Sequence, residues 1–584
     1  MANAAQVLVD CLIAWKVDRV YGLPGDGING IIEALRQRRE EVEFIQVRHE
    51  QSAAFMACAH AKLTGRLGVC LATSGPGGTN LLTGLYDAKL DQMPVLAITG
   101  MQYHDLASTF TQQDVDLTQV MEDVSTFNAQ VSDAAHMENI ANLACRSALS
   151  TRSVAHISIA SDRQEEGEAS RSRRNLKGHV SARYFKPEPV PQAGLIDDAA
   201  RILNASGKTA ILVGRGALEA GRKVRLLAER LAAPVVKALL GKTVLDDRDE
   251  FSMGGIGILG TAASQSALSE CDTLVIIGSS FPYIEYYPRP GTARCIQIDC
   301  DAQRIGLRYP VDVGLVGDAE AVLDRLLPKL DQASDSTFLK ICQERSRNWR
   351  EKMEILQGEE CSPLKPAPVV KAFGRRIAPN GVVIADSGQN TELAARHLDL
   401  TANNAFLVSG ALASMASALP YAIAAGITFP GRPIYAVVGD GGLAMQLGEY
   451  STAVRHRIPL KLLVICNGML NQIAWEQMMF LGHPQFGCEL APIDFALAAR
   501  AMGGEGYTIR EFSEIEAVMN EVFSHDSPSI IQAYVDRYEP MMPPIMPADY
   551  SRNFQKSLEE TPGKDRIRAN VAREPLKSMM ERKA

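Results

Sequence analysis

The chain has 584 residues, of which 46% are hydrophobic and 22% are charged, a composition typical of globular domains. This length exceeds what one hydrophobic core can organise and indicates about three or four domains. With 60 Lys and Arg against 68 Asp and Glu, the formal net charge is −8, so no basic field favours a nucleic-acid partner.

The cysteines and the N-terminus give no sign of secretion. The 11 cysteines include no CxxC pair, which favours free thiols over a disulfide framework or a zinc site. Asp10 interrupts the N-terminal apolar run, which also lacks a basic start, so we expect no signal peptide and a cytoplasmic protein. Residues 400–431 contain no charged side chain, but Pro420, Pro430 and many small residues predict a packed helix rather than a membrane span.

The first block of the chain alternates apolar runs with helical patterns, as a doubly wound parallel sheet does. The predicted strands are 19–22, 43–47, 68–73, 95–99 and 156–159. A charged stretch at 162–177 and a Pro-rich one at 186–191 then indicate a linker.

Three turns in this block each follow a strand. One ends in Glu50, just before an Ala-rich helix, where the helix dipole favours a carboxylate whatever its function. The turns at 21–29 and 73–80 are rich in glycine, which permits close backbone approach but is a weak signal for any one turn.

The second block restarts the strand–helix alternation. Its predicted strands are 209–213, 233–236, 273–278, 294–299 and 314–317. The sequence AILVGRGALEAG at 210–221 joins a strand to a glycine turn, which is equally consistent with a nucleotide contact and with simple packing. A charged, helix-prone segment at 331–360 leads into the third block.

The third block contains a β-α-β unit with a polar side chain after each strand. Its first strand, 434–438, ends at Gly439-Asp440-Gly441-Gly442, and its second, 460–465, ends at Asn467. Both side chains therefore lie at one edge of a parallel sheet, where open α/β sheets bind ligands. Glycines and a following helix suit a phosphate, and the two oxygen ligands suit Mg²⁺ or Ca²⁺.

This spacing resembles the thiamine diphosphate (ThDP) signature of the acetolactate synthase, pyruvate oxidase and pyruvate decarboxylase group. The resemblance covers roughly residues 3–545, and the glycine turns of the first block match the group in order and spacing. It implies an α/β protein with three doubly wound parallel-sheet domains. The three domains are a pyrimidine-binding domain (1–180), a central FAD-type domain (190–330) and a diphosphate-binding domain (364–540). A linker (331–363) precedes the third domain, and a C-terminal tail (541–584) follows it.

The same resemblance assigns catalytic roles. Glu50 is expected to contact the aminopyrimidine ring of ThDP across a subunit interface and to promote the imino tautomer that removes the C2 proton. Gly25 is expected in the same half of the site, which binds the aminopyrimidine ring. Gln113 resembles a glutamine near the substrate, and Glu476 matches a glutamate that faces the reacting carbon in pyruvate oxidases.

The expected substrate pocket departs from the group's pattern. Gln112 replaces the usual phenylalanine, with Phe110 two residues away, and Asn471-Gln472 replaces Gly-Phe. We therefore expect a more polar pocket, to which Gln472 contributes.

The diphosphate half of ThDP and its metal have their own implied ligands. Mg²⁺ is expected on the side-chain oxygens of Asp440 and Asn467 and on the carbonyl of Met469, completed by diphosphate and water. Met415 is expected to support a V-shaped cofactor, although methionine is commonly a gap-filler in cores. The implied ThDP ligands in this block are Gly388, Gln389, Ser414, Met415, Asp440, Gly441, Gly442, Asn467, Met469 and Leu470.

The second block resembles the FAD domain of quinone-linked pyruvate oxidases. Asp299, at a strand end, is expected to accept from the adenosine ribose, and the glycines near 256–259 to admit the pyrophosphate. The implied FAD residues are Gly214, Gly216, Gly257, Ile258, Ser279, Ser280, Phe281, Tyr283, Asp299 and Asp318.

The expected activity is decarboxylation of pyruvate or a similar small 2-oxo acid, with oxidation of the enamine intermediate through FAD. The alternative is a non-redox carboligase or decarboxylase with structural FAD or none; a catalytically silent nucleotide-binding regulator conflicts with intact Glu50, Asp440 and Asn467. The resemblance also implies a homodimer at least, and usually a tetramer. Residues 563–584 have few large apolar side chains, so any peripheral membrane contact is expected to be weak.

Overall fold

Three parallel sheets of six strands each, flanked by helices, make up the computed structural model, which describes residues 2–167 and 171–573. This confirms the predicted α/β class with three doubly wound sheets. The central strands are buried and mostly apolar because helices cover both faces, and every residue of Gly68–Ala72 and Val154–Ala160 is buried.

The first sheet has the strand order β2-β1-β3-β4-β6-β5. Its strands are β1 (Arg19–Gly22), β2 (Glu43–Gln46), β3 (Gly68–Ala72), β4 (Val95–Met101), β5 (Ser125–Val131) and β6 (Val154–Ala160). The helices around it are α1 (Ala4–Ala14), α2 (Asn29–Gln37), α3 (Glu50–Thr64), α4 (Pro76–Asn80), α5 (Leu82–Leu90), α6 (Leu117–Val120), α7 (Ala134–Thr151) and α8 (Ser161–Gln164).

The middle sheet has the order β12-β11-β10-β7-β8-β9. Read from its other edge, this is the doubly wound order 3-2-1-4-5-6, which reverses between β7 and β10. Its strands are β7 (Thr209–Val213), β8 (Val235–Lys237), β9 (Ser252–Gly255), β10 (Thr273–Ile277), β11 (Arg294–Asp299) and β12 (Val313–Val316). Its helices are α9 (Ala193–Asn204), α10 (Gly221–Leu231), α11 (Ala262–Glu270) and α12 (Ala319–Leu326), followed by the long α13 (Thr337–Gln357).

The third sheet has the order β14-β13-β15-β16-β18-β17, which repeats the order of the first sheet strand for strand. Its strands are β13 (Val382–Ala385), β14 (Ala405–Leu407), β15 (Ile434–Gly439), β16 (Leu460–Cys466), β17 (Glu505–Ile509) and β18 (Ser529–Tyr534). Its helices are α14 (Pro366–Gly374), α15 (Gln389–His397), α16 (Ala418–Thr428), α17 (Asp440–Gln446), α18 (Tyr450–Arg455), α19 (Asn471–Met479), α20 (Phe495–Ala501) and α21 (Ile515–Val522).

Two helices follow the third sheet, α22 (Ala548–Leu558) and α23 (Lys564–Arg573). The Phe554 ring of α22 stacks on Trp475 of α19 at 5.7 Å between ring centroids, and Ile567 of α23 is fully buried. Residues 574–584, which the membrane-contact prediction also concerns, lie outside the described part of the chain. Within that part, no helix combines the length and apolar character needed to cross a bilayer.

The first and third sheets share one apolar core through α3 and α16. Both helices are rich in alanine, so their backbones approach closely. This agrees with the prediction that the uncharged stretch 400–431 forms a packed helix, because α16 is buried over Ala418–Gly426.

A buried ionic cluster crosses the same interface. The Lys62 Nζ donates to Asp91 Oδ2 at 2.7 Å and to the Tyr421 hydroxyl at 2.6 Å, and it lies 3.6 Å from Asp87. Burial by itself opposes the charged form of Lys62, but the two carboxylates raise its pKa above the ordinary value. The cluster therefore sets one buried cation against two buried carboxylates, so each charge has an opposite charge nearby.

Replacing Lys62 by methionine should leave these carboxylates buried without their cation. We expect a loss of about 3–5 kcal/mol in the free energy of unfolding, measured by denaturant unfolding of the cofactor-free protein. The control is Lys89→Met, because Lys89 pairs with the exposed Asp123 on the surface and should cost at most about 1 kcal/mol. Equal losses in the two variants would contradict this expectation.

Candidate cofactor sites

Asp440 and Asn467 meet at the carboxyl edge of the third sheet, as the sequence predicted. Strands β15 and β16 are neighbours, with Gly439 paired to Ile465, so the residues that follow them lie side by side. The Gly468 N–H donates to Asp440 Oδ2 at 2.8 Å, and the Met469 N–H donates to Asn467 Oδ1 at 3.0 Å. The loop 467–469 thus fixes both the Asp440 carboxylate and the amide oxygen of Asn467.

Asp386 organises the turn opposite this loop. It follows β13, is fully buried, and accepts from the backbone N–H groups of Ala416, Ser417 and Ala418 at 3.0–3.3 Å. Burial raises its pKa to about 6, and the donated hydrogen bonds oppose that rise. A Cβ at Gly442 would lie 2.1 Å from Asp386 Oδ2, so only glycine fits there.

Met415 is presented by this turn to the Gly-Asp-Gly segment. Its Cε lies 3.5 Å from the position that a Cβ of Gly441 would take. The Ser414 N–H donates to Ser409 Oγ and its hydroxyl to the Met415 carbonyl, and Ser414 does not line the cleft described below.

Gln389 connects the start of α15 with the loop 467–469. Its Oε1 accepts from Asn467 Nδ2 at 3.3 Å and from Asn471 Nδ2 at 2.7 Å. Gly388, just before it, has φ +132°, which a residue with a Cβ rarely adopts. Within α19, which begins at Asn471, Gln472 Nε2 donates to Glu476 Oε1 at 2.9 Å. These two predicted catalytic residues therefore form a pair.

A cleft of about 1580 Å³ runs from this edge to the middle sheet. That volume exceeds the roughly 300–1,000 Å³ of a single small-molecule site. All ten predicted FAD residues line it, and so does Gln472. The predicted ThDP residues that line it are Gly388, Gln389, Met415, Asp440, Gly441, Gly442, Asn467, Met469 and Leu470.

At the middle sheet, the cleft opens at the point where the strand order reverses. Strands β7 and β10 are neighbours there, and the Gly216 N–H donates to the Gly278 carbonyl at 3.0 Å. A Cβ at Gly214 would lie 2.4 Å from that carbonyl, so this glycine is required by packing whatever binds nearby.

The side chains on this part of the cleft are polar and aromatic. Ser280 Oγ accepts from Arg304 at 3.0 Å, and the Phe281 and Tyr283 rings lie 5.5 Å apart. Asp299 ends β11, and burial raises the pKa of its carboxyl. Asp318 caps α12 by accepting from the Glu320 N–H at 3.0 Å, so one of its oxygens already has a partner.

Three predicted residues form a second site, at the carboxyl edge of the first sheet and outside the cleft. Glu50 begins α3, is 6% exposed, and its Oε2 accepts from Asn80 Nδ2 at 3.0 Å. Gln113 Oε1 accepts from Ser74 Oγ at 2.6 Å. A Cβ at Gly25 would lie 2.5 Å from Thr73 Cβ. All three predicted residues therefore contact the glycine-rich turn at 73–80.

Comparison with known proteins places this architecture. Family models for the N-terminal, central and C-terminal domains of thiamine pyrophosphate enzymes match residues 2–120, 196–326 and 386–533. A putative thiamine pyrophosphate-containing protein of Bacillus subtilis, YdaP, is 36% identical over 95% of both chains. The chain belongs to the thiamine pyrophosphate enzyme family. It is a ThDP-dependent enzyme of the pyruvate oxidase and acetolactate synthase group.

Within this family, named relatives differ in activity. A pyruvate oxidase of Lactiplantibacillus plantarum is 29% identical over 93% of this chain and 89% of its own. An acetolactate synthase large subunit of Parasynechococcus marenigrum is also 29% identical, with the same coverage. Identity to these two relatives does not separate an oxidase from a carboligase.

The residues fit the cofactors that this family implies. A carboxylate, an amide oxygen and the Met469 carbonyl are the hard oxygen donors that Mg²⁺ takes together with phosphate. Gly441 and Gly442 leave space that a Cβ would fill against Leu490, Leu470 and Asp386. In the middle domain, hydroxyl groups, Asp299 and aromatic rings around a deep cleft suit a dinucleotide.

Several residues of these sites were not predicted. The segment 488–490 packs along residues 468–470. The Leu470 N–H donates to the Cys488 carbonyl at 2.8 Å, and the Leu490 N–H donates to the Gly468 carbonyl at 2.9 Å. Arg215 lines the cleft, and burial together with nearby Arg152 lowers its pKa to about 10. Its position in the glycine turn after β7 is the sequence feature that indicates a cleft residue here.

Proposed function

We propose that this enzyme decarboxylates pyruvate or a similar small 2-oxo acid and passes two electrons from the substrate to FAD. ThDP supplies the carbanion chemistry of decarboxylation and FAD the two-electron acceptor. The observation that carries the proposal is the single cleft that joins Asp440 and Asn467 to the strand-order reversal of the middle sheet. An oxidase needs its two cofactors near each other so that electrons pass between them, and one shared cleft supports this.

The chain's own residues divide the work. Asp440, Asn467 and the Met469 carbonyl hold Mg²⁺ and with it the diphosphate. Met415 supports the cofactor from the turn that Asp386 fixes. Glu50 holds and moves a proton at the aminopyrimidine, and the Gln472–Glu476 pair faces the substrate.

The division of the chain follows from this assignment. We propose residues 1–180 as the pyrimidine domain, 190–330 as the FAD domain, 364–540 as the diphosphate and Mg²⁺ domain, with a linker at 331–363 and a tail from 541.

We also propose that the smallest working unit is a homodimer. Glu50, Gly25 and Gln113 do not line the cleft that contains Asp440 in the same chain. A complete centre therefore combines the first sheet of one chain with the cleft of another. A tetramer would be a pair of such dimers.

The experiment is an anaerobic absorbance spectrum of the protein with ThDP and Mg²⁺, before and after pyruvate is added. We expect flavin bands that bleach as pyruvate is consumed. Oxygen or a quinone analogue should then restore them.

A non-redox carboligase is the second candidate. The polar pair Gln472–Glu476 and the buried Asn471 favour it, because they could bind a second carbonyl substrate. Flavin that stays oxidised while pyruvate disappears into a ligated product would establish this candidate. Absence of flavin from protein purified with excess FAD would overturn the middle-domain assignment alone.

A further inference from the structure

Glu449 connects α17, the helix that begins at Asp440, to the turn that leads into Glu50. It ends a 3₁₀ turn, Leu447–Glu449, that directly follows α17, and α17 begins at Asp440. Its carboxylate is 1% exposed and accepts from the Arg48 N–H at 3.1 and 3.3 Å. Arg48 lies two residues before Glu50, between β2 and α3.

Further contacts of the same segment surround Glu50. Thr452 Oγ1 donates to Glu449 Oε1 at 2.7 Å, which orients the carboxylate. Ser52 Oγ, on the other side of Glu50, donates to Gln446 Oε1 at 2.9 Å. Hydrogen bonds to residues 446–452 therefore hold the chain on both sides of Glu50, at Arg48 before α3 and at Ser52 in its first turn.

Packing alone does not explain why a carboxylate is buried at position 449. Its hydrogen bonds come from a backbone N–H and a hydroxyl, and within residues 2–167 and 171–573 no Lys or Arg nitrogen forms an ion pair with it. A buried carboxylate without a paired cation is costly. A strong acceptor for the Arg48 N–H, which a charged oxygen provides, is what the position gains.

We propose that Glu449 is a positioning residue for Glu50, which it acts on through the Arg48 N–H. The proposal rests on the proposed role of Glu50 in ThDP activation. Because Glu50 serves the cofactor of the partner chain while Asp440 serves that of its own, the segment from Asp440 to Glu449 also ties the two centres of the dimer together.

The test measures hydrogen–deuterium exchange at C2 of ThDP in the Mg²⁺ holoenzyme, by acid quench and NMR. Glu449→Ala should slow this exchange by about 10- to 100-fold, since small displacements of a catalytic group cost this much. Glu449→Asp, which keeps the charge but withdraws the acceptor, and Glu449→Gln, which keeps the reach of the acceptor but loses its charge, should each slow it less than Glu449→Ala does. The control is Ser451→Ala, which removes a contact to the Arg48 side chain and a hydrogen bond to the Gly448 carbonyl but keeps Glu449 and its bond from the Arg48 N–H.

A double-mutant cycle separates positioning from general damage. In a Glu50→Gln background, Glu449→Ala should change C2 exchange no further, because both changes act on one group. ThDP affinity and the unfolding midpoint should stay near those of Ser451→Ala. Multiplying effects in the cycle, or normal exchange in both Glu449→Ala and Glu449→Asp, would overturn the proposal. Normal exchange in Glu50→Gln alone would instead overturn the proposed role of Glu50.

Discussion

Glu50→Gln should lower turnover by about 100- to 10,000-fold while ThDP still binds. Glutamine preserves the size of the side chain and can still contact Asn80, which donates to Glu50 at 3.0 Å. It cannot gain and lose the proton that activation of the cofactor requires. The measurement is steady-state turnover at saturating ThDP, Mg²⁺ and pyruvate, together with the ThDP dissociation constant from fluorescence quenching.

The matched control is Glu43→Gln, because Glu43 is an exposed glutamate at the start of β2 in the same domain. It should leave turnover unchanged. If Glu50→Gln turns over at the rate of Glu43→Gln, Glu50 has no part in proton transfer.

Asp440→Asn should weaken cofactor binding rather than slow the chemical step. The carboxylate accepts from the Gly441 N–H at 2.9 Å and the Gly468 N–H at 2.8 Å. An amide would turn its NH₂ group toward one of these donors and would remove the charge that Mg²⁺ needs. We expect ThDP affinity in the presence of Mg²⁺ to fall by about 100-fold, since a buried charged interaction is lost. Calorimetric titration of ThDP measures this.

Asp526→Asn provides the comparison for this variant, since Asp526 is an exposed aspartate of the same domain. It should bind ThDP normally. Normal ThDP affinity in Asp440→Asn would remove this residue from the metal site.

The two variants together test where each residue acts. When chains with Glu50→Gln and chains with Asp440→Asn are coexpressed, half of the dimers are mixed, and each mixed dimer has one intact centre. Activity should return to about a quarter of the wild-type level if the centres lie between chains. Failure of the mixture to recover any activity would place Glu50 and Asp440 in one centre of one chain.

The sequence was most informative where strands are buried on both faces. Runs such as 434–438 and 460–465 are continuous and apolar, and they form β15 and β16. The edge strands β5, β9, β14 and β17 were missed because they are short or partly polar. β18 was missed although it is central, since its apolar residues surround a buried Gln532.

The candidate site shows the same division. Glycines, Asp440 and Asn467 stand at strand ends, where sequence spacing alone brings them to one edge. Gly388 and Gln389 were expected to contact ThDP, but the contact of nearby Asp386 with residues 416–418 depends on a chain reversal that no local pattern encodes. Glu449 was missed because its partner, Arg48, is about 400 residues away in the sequence. Such long-range contacts require the assembled fold.

The first and third sheets share one strand order, 2-1-3-4-6-5 when each is numbered from its own first strand. An identical order in two separate sheets is the expected trace of an ancestral gene that was duplicated and fused, although the letters of the two halves have diverged. On this account, one copy kept Glu50 at its carboxyl edge and the other kept Asp440 and Asn467. The proposed cofactor site then lies between descendants of a single ancestral module, with the middle domain inserted between them.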